Sequence, residues 1–252
     1  MQAPPFSEPK HIRLLRILWK LTGKSRNFDR FLAHHLKFRR FLEVRTGEDV
    51  IPDFLTSEIH FTSPPIGLWA TPAADTLAVL KGIVGFESKK ILEIGSYKGT
   101  TAKLMAENSG PDTRIFTLDI DPDHGSAFRG TPAEEKITRI IGDSCLENAE
   151  KHAPYDFIFI DGDHSRKGAY RDSLVALEVL ANDGVIFWHD YQTTDYFIHR
   201  KGSVPEALRL IQQERDIALV AIEGTMIAAH SRKPGWETSS MLGEAETKAN
   251  KR

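Results

Sequence analysis

Only one cysteine, Cys145, occurs in the 252 residues. That excludes an internal disulfide and suits a reducing compartment. No apolar run approaches the roughly 20 residues that a membrane-crossing helix needs. The opening residues, Met1-Gln-Ala-Pro-Pro-Phe-Ser-Glu-Pro, lack the apolar centre and cleavage site of a secretory leader. The expectation from these absences is a cytoplasmic protein. No internal repeat is seen, and the glycine pattern Gly-x-Gly-x-x-Gly of dinucleotide-binding proteins is missing at the main glycine turn.

What is present is an ordinary globular composition, 40% hydrophobic and 27% charged. The length suits one domain of ample size with an extension. The net charge of -2 hides a segregation. Between Lys10 and Arg45 eleven Lys and Arg face only Asp29 and Glu43, a local +9 that leaves -11 on the rest. His11 to Leu21 reads as an amphipathic helix with Ile12, Leu15, Leu18 and Trp19 on one face and Arg13, Arg16, Lys20 and Lys24 on another. A second helix is read from Phe28 to Val44. The preferred reading of residues 10–45 is a helical cap with solvated cations. Contact with an anionic membrane surface, which would make the protein peripheral to it, or with nucleic acid is the less favoured one.

The chain is organised around Lys90-Ile-Leu-Glu-Ile-Gly-Ser-Tyr-Lys-Gly-Thr-Thr-Ala102. A short apolar run turns through Gly95 and Gly99 and enters a helix-like run from Thr100 to Glu107. Gly95 permits unusual dihedrals and close approach of a ligand to the backbone. The unpaired N–H groups of the helix start, at Thr100, point at whatever binds there. Glu93 can accept from an ammonium and would repel a pyrophosphate. Glu-x-Gly-x-x-x-Gly therefore argues for a nucleoside carrying an amino acid. Glu93-Ile-Gly95-Ser96-Tyr-Lys-Gly99 resembles the first motif of class I S-adenosylmethionine-dependent methyltransferases, and the resemblance extends over about residues 90 to 190.

The rest of the chain fits that frame. Residues 53–70, rich in proline and holding Trp69, read as a long loop of the kind that closes over a site. Thr71-Pro72 reads as a helix start with Thr71 as the cap, and Leu77, Leu80 and Val84 as the inner face. Strands are expected at 90–94, 114–120, 137–141, 156–160 and 185–188, nearly all apolar as in a parallel sheet buried on both faces. Helices are expected at 100–108 and 167–180, and Asn182-Asp183-Gly184 as a turn. Ser203-Val-Pro-Glu206 is a capping box. Ile217 to Ile222 and Met226 to Ala229 flank Glu223-Gly224-Thr225 as a hairpin. The fold class is α/β: a doubly wound, mostly parallel, seven-stranded Rossmann-like sheet with a C-terminal antiparallel hairpin and an N-terminal helical extension. The divisions are 1–70 for the basic extension and lid loop, 71–230 for the cofactor-binding domain, and 231–252 for a frayed tail.

Ligands sit at the carboxyl ends of strands in open α/β sheets. The strand ends supply Glu93, Gly95 and Ser96; Asp119, with Asp121 as runner-up; Asp143 and Ser144; Asp161, Asp163 and His164; and His189 and Asp190. A carboxylate has two acceptor oxygens and no donor, so it can take both hydroxyls of a ribose. The resemblance implies that Asp119 does so, and that Asp143 or Ser144 contacts adenine. Asp143 and Ser144 read otherwise as caps of the next helix. Paired carboxylates repel unless a cation or proton lies between them. Asp161 and Asp190 thus suit Mg²⁺ or another divalent ion. Here the chain resembles the metal-dependent O-methyltransferases of the catechol and natural-product sugar types. It departs from them at the third ligand: the catechol type has an amide where Tyr191 stands, and the sugar type has an acid where His189 stands. His189 can ligate, although imidazole suits a softer metal.

His164 occupies the place of the general base in these families, and histidine titrates near neutrality. Asp163 reads as a turn residue. The implied activity is methyl transfer from S-adenosyl-L-methionine to a hydroxyl of a small molecule such as a sugar, polyol or phenol, with His164 and Asp161 as the catalytic pair. An RNA methyltransferase with a basic clamp, or a relative that binds the cofactor without turnover, are the rival readings. The Asn-Pro-Pro-aromatic signature of amine methylation is absent after the fourth strand. A homo-oligomer is left open.

Overall fold

The computed structural model describes residues 42–62, 71–191 and 204–236. Among them eight strands form one sheet: β1 (Glu43–Arg45), β2 (Lys90–Ile94), β3 (Arg114–Asp119), β4 (Ile137–Ile141), β5 (Tyr155–Ile160), β6 (Leu180–Trp188), β7 (Val220–Ile222) and β8 (Ala228–Ser231). Their order across the sheet is β1-β7-β8-β6-β5-β2-β3-β4. All neighbouring pairs are parallel except those of β8, which runs antiparallel to both β6 and β7. The helices are α1 (Gly47–Val50), α2 (Ala73–Gly85), α3 (Thr100–Glu107), α4 (Leu146–Ala149), α5 (Arg166–Val179) and α6 (Val204–Arg215), with a 3₁₀ turn at Pro132–Lys136.

The strand alternation decides what lies on each face. Phe157, Phe159, Val185 and Phe187 pack with α2 and α3, whereas Ile158, Ile160, Ile186 and Trp188 pack with α5 and α6. Successive side chains of a strand point to opposite faces, so apolar runs are needed where both faces are covered. Trp188 places its indole N–H 2.9 Å from the Ser173 hydroxyl, which satisfies the one polar atom of a buried ring. Close packing of α2 depends on Gly82. A methyl there would lie 3.0 Å from the rings of both Phe157 and Phe187.

The expected strands and hairpin are present, with an eighth strand added. Glu43–Arg45 was expected at the end of a helix and instead pairs parallel with β7. Three residues carry too little periodicity to be read alone; their partner strand supplies the order. β6 begins at Leu180, directly after α5, rather than at Val185. Its register skips between Tyr155↔Leu180 and Phe157↔Val185, so Asn182-Asp183-Gly184 is an irregularity within the strand. The buried face of α2 is Ala78, Val79, Leu80 and Ile83, while Leu77 is exposed.

Residues 53–62 pack against α2 and the end of α3, where His60 N–H donates to Asn108 Oδ1 at 2.6 Å and Phe54 lies under Lys81. Residues 63–70 with Trp69, the stretch before Leu42 in which two basic helices are expected, and Ser203, the expected cap, lie outside the described residues. At the other end, Arg232 donates to the carbonyls of Leu177 and Leu180 at 2.7 Å. The expected tail is therefore packed as far as Trp236, and its remainder also lies outside the described residues.

Candidate functional site

Sequence-adjacent strands β2, β3 and β4 run outward in one direction, and the chain then returns to place β5 on the other side of β2. The loops after β2 and β5 consequently diverge, and a crevice opens between them. A cleft of about 390 Å³ occupies it, lined among others by Gly95, Tyr97, Asp119, Ile120, Asp143 and Asp161. Gly95 has φ +101°, and a Cβ there would come 2.2 Å from the Asp161 carbonyl oxygen. Only glycine lets the two loops cross so closely. Ile120, 73% exposed, gives the cleft an apolar wall.

Asp119 organises the first loop. Its Oδ2 accepts from the N–H groups of Ser96 at 2.8 Å and Tyr97 at 3.1 Å, and its Oδ1 from Asp121 N–H at 2.9 Å. His124 Nδ1 lies 2.8 Å from Oδ2. Burial pushes the Asp119 carboxyl up, but these donors outweigh it and hold the group below the ordinary carboxylate value.

Glu93 lies one layer deeper, 1% exposed. The Thr117 hydroxyl donates to it and also contacts the Ser96 hydroxyl. Burial, with the nearby charges of Asp161 and Asp119, pushes its carboxyl up to about 8 despite the Thr117 hydrogen bond. The folded chain thus keeps a proton that the unfolded chain releases from an ordinary value of 4.5 upward. Stability from this residue is full below 4.5, falls as pH rises toward about 8, and is level beyond. Glu93→Gln removes the titration. Urea unfolding of the wild type should lose a few kcal/mol, on the order of 1.4 kcal/mol per pH unit, across that window, and the variant should show a flatter profile. Identical slopes in the two proteins would contradict this account.

The second group sits where β5 and β6 end. His164 Nδ1 lies 2.7 Å from Asp190 Oδ2, and its Nε2 3.4 Å from Asp161 Oδ1. His189 is buried between carboxylates: Nδ1 is 2.9 Å from Asp161 Oδ1, and Nε2 is 3.0 Å from Asp75 Oδ2. Burial alone would depress the His189 imidazole, but Asp161, Asp75 and Asp190 raise it well above its ordinary value. Asp161 responds in kind. Burial would raise its carboxyl, but the charge of His189 and the hydrogen bonds of both histidines hold it well below the usual range. Thr71 adds a hydroxyl donor to Asp161 Oδ2 at 3.0 Å. Asp190 has φ +62°, and the residues beside it are pinned: His189 as above, Tyr191 by its N–H to the Met226 carbonyl. The Tyr191 hydroxyl accepts from Leu42 N–H at 3.0 Å, which ties the start of β1 to this corner.

Residues 92–191 match a family model described as a methyltransferase domain. The catechol O-methyltransferase of Mycobacterium tuberculosis (strain H37Rv) is 28% identical over 100 residues, 37% of this chain. The chain spans less than half of that relative, 44% of its length. A protein of Mycobacterium sp. (strain JLS) named "Putative O-methyltransferase" is 25% identical over 202 residues, 72% of this chain and 89% of its own. The fold is shared with a crystal structure of an O-methyltransferase from Bacillus cereus in complex with SAH, at a TM-score of 0.54 and 21% identity over 66% of this chain and 84% of that one. Residues 92–191 are thus similar to a methyltransferase domain, and the sheet around them has the fold of an O-methyltransferase. Its crevice at the β2/β5 switch point is where such a domain meets its ligand.

Within this segment, Gly95, Asp119, Asp143, Ser144 and Asp161 all line the cleft. Glu93, Ser96, Gly99 and Thr100 are not among its lining residues. Glu93 is sealed beneath the loop, so it does not present a carboxylate to an ammonium in the cleft. Ser96 serves Asp119 through its backbone. Gly99, at φ +79°, starts α3 against the ring of Phe128, and Thr100 is the first helical residue. Asp163 accepts from Ser165 N–H and hydroxyl at 2.9 Å, a turn role, while Ser165 caps α5. Asp143 and Ser144 do not cap α4, whose N-cap is Cys145.

His189 corrects the expected metal set, since both its ring nitrogens face carboxylates. Among the described residues, those whose ligand atoms lie within 4.8 Å of one another are Asp161, His164 and Asp190. Thr71 and Asp75 were missed because Thr71-Pro72 looks like a helix cap. Thr71 does not cap α2, and its hydroxyl goes to Asp161 instead. Asp75 precedes Ala78 and Val79 by three and four residues, on the buried face of α2. A carboxylate there needs a partner, and that was the available signal.

Proposed function

We propose that the chain methylates a hydroxyl oxygen of a small molecule, a sugar, polyol or phenol, using S-adenosylmethionine. The observation that carries this reading is the Asp161–His164–Asp190 group beside the switch-point cleft. The acceptor oxygen attacks the sulfonium methyl, an O–C bond forms, and the S–C electron pair stays on sulfur as S-adenosylhomocysteine. The hydroxyl proton goes to His164, whose ring is oriented by Asp190 at 2.7 Å. Alignment of donor and acceptor supplies much of the rate. Three backbone N–H groups donate to Asp119, and the His124 ring, whose Nδ1 lies 2.8 Å from Oδ2, is the one side chain against it. Ribose hydroxyls take its place there.

A metal-assisted version has its own support. Two carboxylates and one imidazole within ligand distance suit a divalent ion that accepts mixed oxygen and nitrogen donors better than they suit Mg²⁺. Such an ion would be held by Asp161, His164 and Asp190 and would acidify a bound hydroxyl.

The test pairs calorimetry with a labelled-methyl screen of hydroxylated metabolites. S-adenosylhomocysteine should bind the wild type, and Asp119→Ala should weaken it about 100-fold, the effect of two hydrogen bonds to a charged acceptor. Binding of NAD in its place would overturn the reading. With an acceptor found, turnover surviving EDTA assigns deprotonation to His164, while loss restored by Mn²⁺ assigns it to the metal version.

A further inference from the structure

His189 faces the candidate metal ligands from inside the fold. Its Nδ1 lies 2.9 Å from Asp161 Oδ1 and 3.4 Å from Asp190 Oδ1, the two carboxylates that would hold a divalent ion together with His164. Its Nε2 lies 3.0 Å from Asp75 Oδ2. Asp75 is fixed in turn, since its Oδ1 accepts from Met226 N–H at 2.8 Å. A neutral imidazole carries one N–H and would turn a lone pair toward one of these carboxylates. Carboxylates against both nitrogens require two N–H groups, which only the imidazolium has.

The second oxygens of the two ligands also face groups of the chain itself. Asp161 Oδ2 accepts from the Thr71 hydroxyl at 3.0 Å, and Asp190 Oδ2 lies 2.7 Å from His164 Nδ1. Paired carboxylates repel unless a cation or proton lies between them. The His189 imidazolium supplies that cation, and at 6% exposure it is poorly screened by solvent ions. A divalent ion held by Asp161 and Asp190 would meet it as a like charge across a shared carboxylate.

We infer that His189 is a built-in counter-cation that competes with a divalent ion for Asp161 and Asp190, and so sets how strongly the chain holds one. This rests on the metal-assisted version of the reading above. His189 neither ligates the ion nor touches the acceptor in this scheme. Its effect is on occupancy: the native chain takes the ion weakly, because the carboxylates already have a counter-charge of their own.

The experiment is titration of the full chain with Mn²⁺, followed by electron paramagnetic resonance, for the wild type, His189→Leu, His189→Asn and the double variant Asp75→Asn/His189→Asn. Each variant should bind Mn²⁺ about 30-fold or more tightly than the wild type, a conservative scale for removing a unit charge from beside a divalent one. Leucine supplies no ligand atom, so a gain that it shares with asparagine comes from the lost charge. The double variant also removes the carboxylate that His189 leaves behind, which keeps the test valid if the single variants fold poorly. As a second readout, Mn²⁺ should raise the Tm of the variants more than that of the wild type, since an ion that binds the native chain stabilises it. Adding Asp190→Asn should abolish the gain in affinity. Affinities within about 3-fold of one another in all four proteins would overturn the inference while the metal reading stands, and so would a gain that survives Asp190→Asn. No Mn²⁺ bound by the wild type or by any variant would instead overturn the metal-assisted reading beneath it.

Discussion

His164→Ala is expected to lower methyl transfer by about 10²- to 10⁴-fold, the usual contribution of a positioned general base, while the affinity for S-adenosylhomocysteine stays within about 3-fold. The split follows from the geometry. His164 stands four residues past the end of β5, in contact with Asp190 and Asp161. It is not among the residues that line the cofactor cleft. Single-turnover rates with saturating cofactor separate the two effects, because KM-type changes then drop out. Parallel loss of cofactor affinity would mean that the ring supports the cleft and does not take the proton. The variant also bears on the metal version, since it removes one of three ligands. A deficit in His164→Ala that excess Mn²⁺ repairs would favour that version, and one indifferent to Mn²⁺ would favour proton acceptance.

The elements that position this chemistry were legible where local order suffices. The strands at 90–94 and 137–141 match to the residue, since short apolar runs bounded by glycine, proline and charge have few other uses. Strand ends then nominate Asp119, Asp143, Asp161, His164 and Asp190 without knowledge of the side-chain contacts. What stayed hidden is the partnering over long separations. His189 and Asp75 are 114 residues apart, and Arg171 and Asp143 are 28 apart. No spacing rule joins them. His189 reads as a ligand because it stands where the sugar type carries an acid. Burial between two carboxylates turns it into a counter-ion, which is a property of the assembled corner rather than of the segment. The same holds for Tyr191. It stands where the catechol type carries an amide, and here its hydroxyl anchors Leu42.

Replacing His189 should have the largest effect on stability. The imidazole lies between Asp161 and Asp75, each at about hydrogen-bond distance, with Asp190 Oδ1 at 3.4 Å. Asp75 itself is 2% exposed and is also tied to Met226 N–H at 2.8 Å. Removal of one partner from a buried pair leaves an uncompensated charge, which costs about 3–5 kcal/mol. His189→Leu leaves two such carboxylates facing an apolar side chain of similar bulk. Urea unfolding should show a lower midpoint by that amount at unchanged m-value, and a Tm lower by roughly 10 °C for a domain of this size. Asp75→Ala alone should also destabilise, because it strips His189 of one acceptor and Met226 of its partner. The two changes should not add. With the histidine gone, the Asp75 carboxylate is a liability, so the double variant should be more stable than the sum of the single effects predicts by about 1–3 kcal/mol. Strict additivity would show that Asp75 and His189 act independently, and the corner linking α2, β5 and β6 would then need a different account.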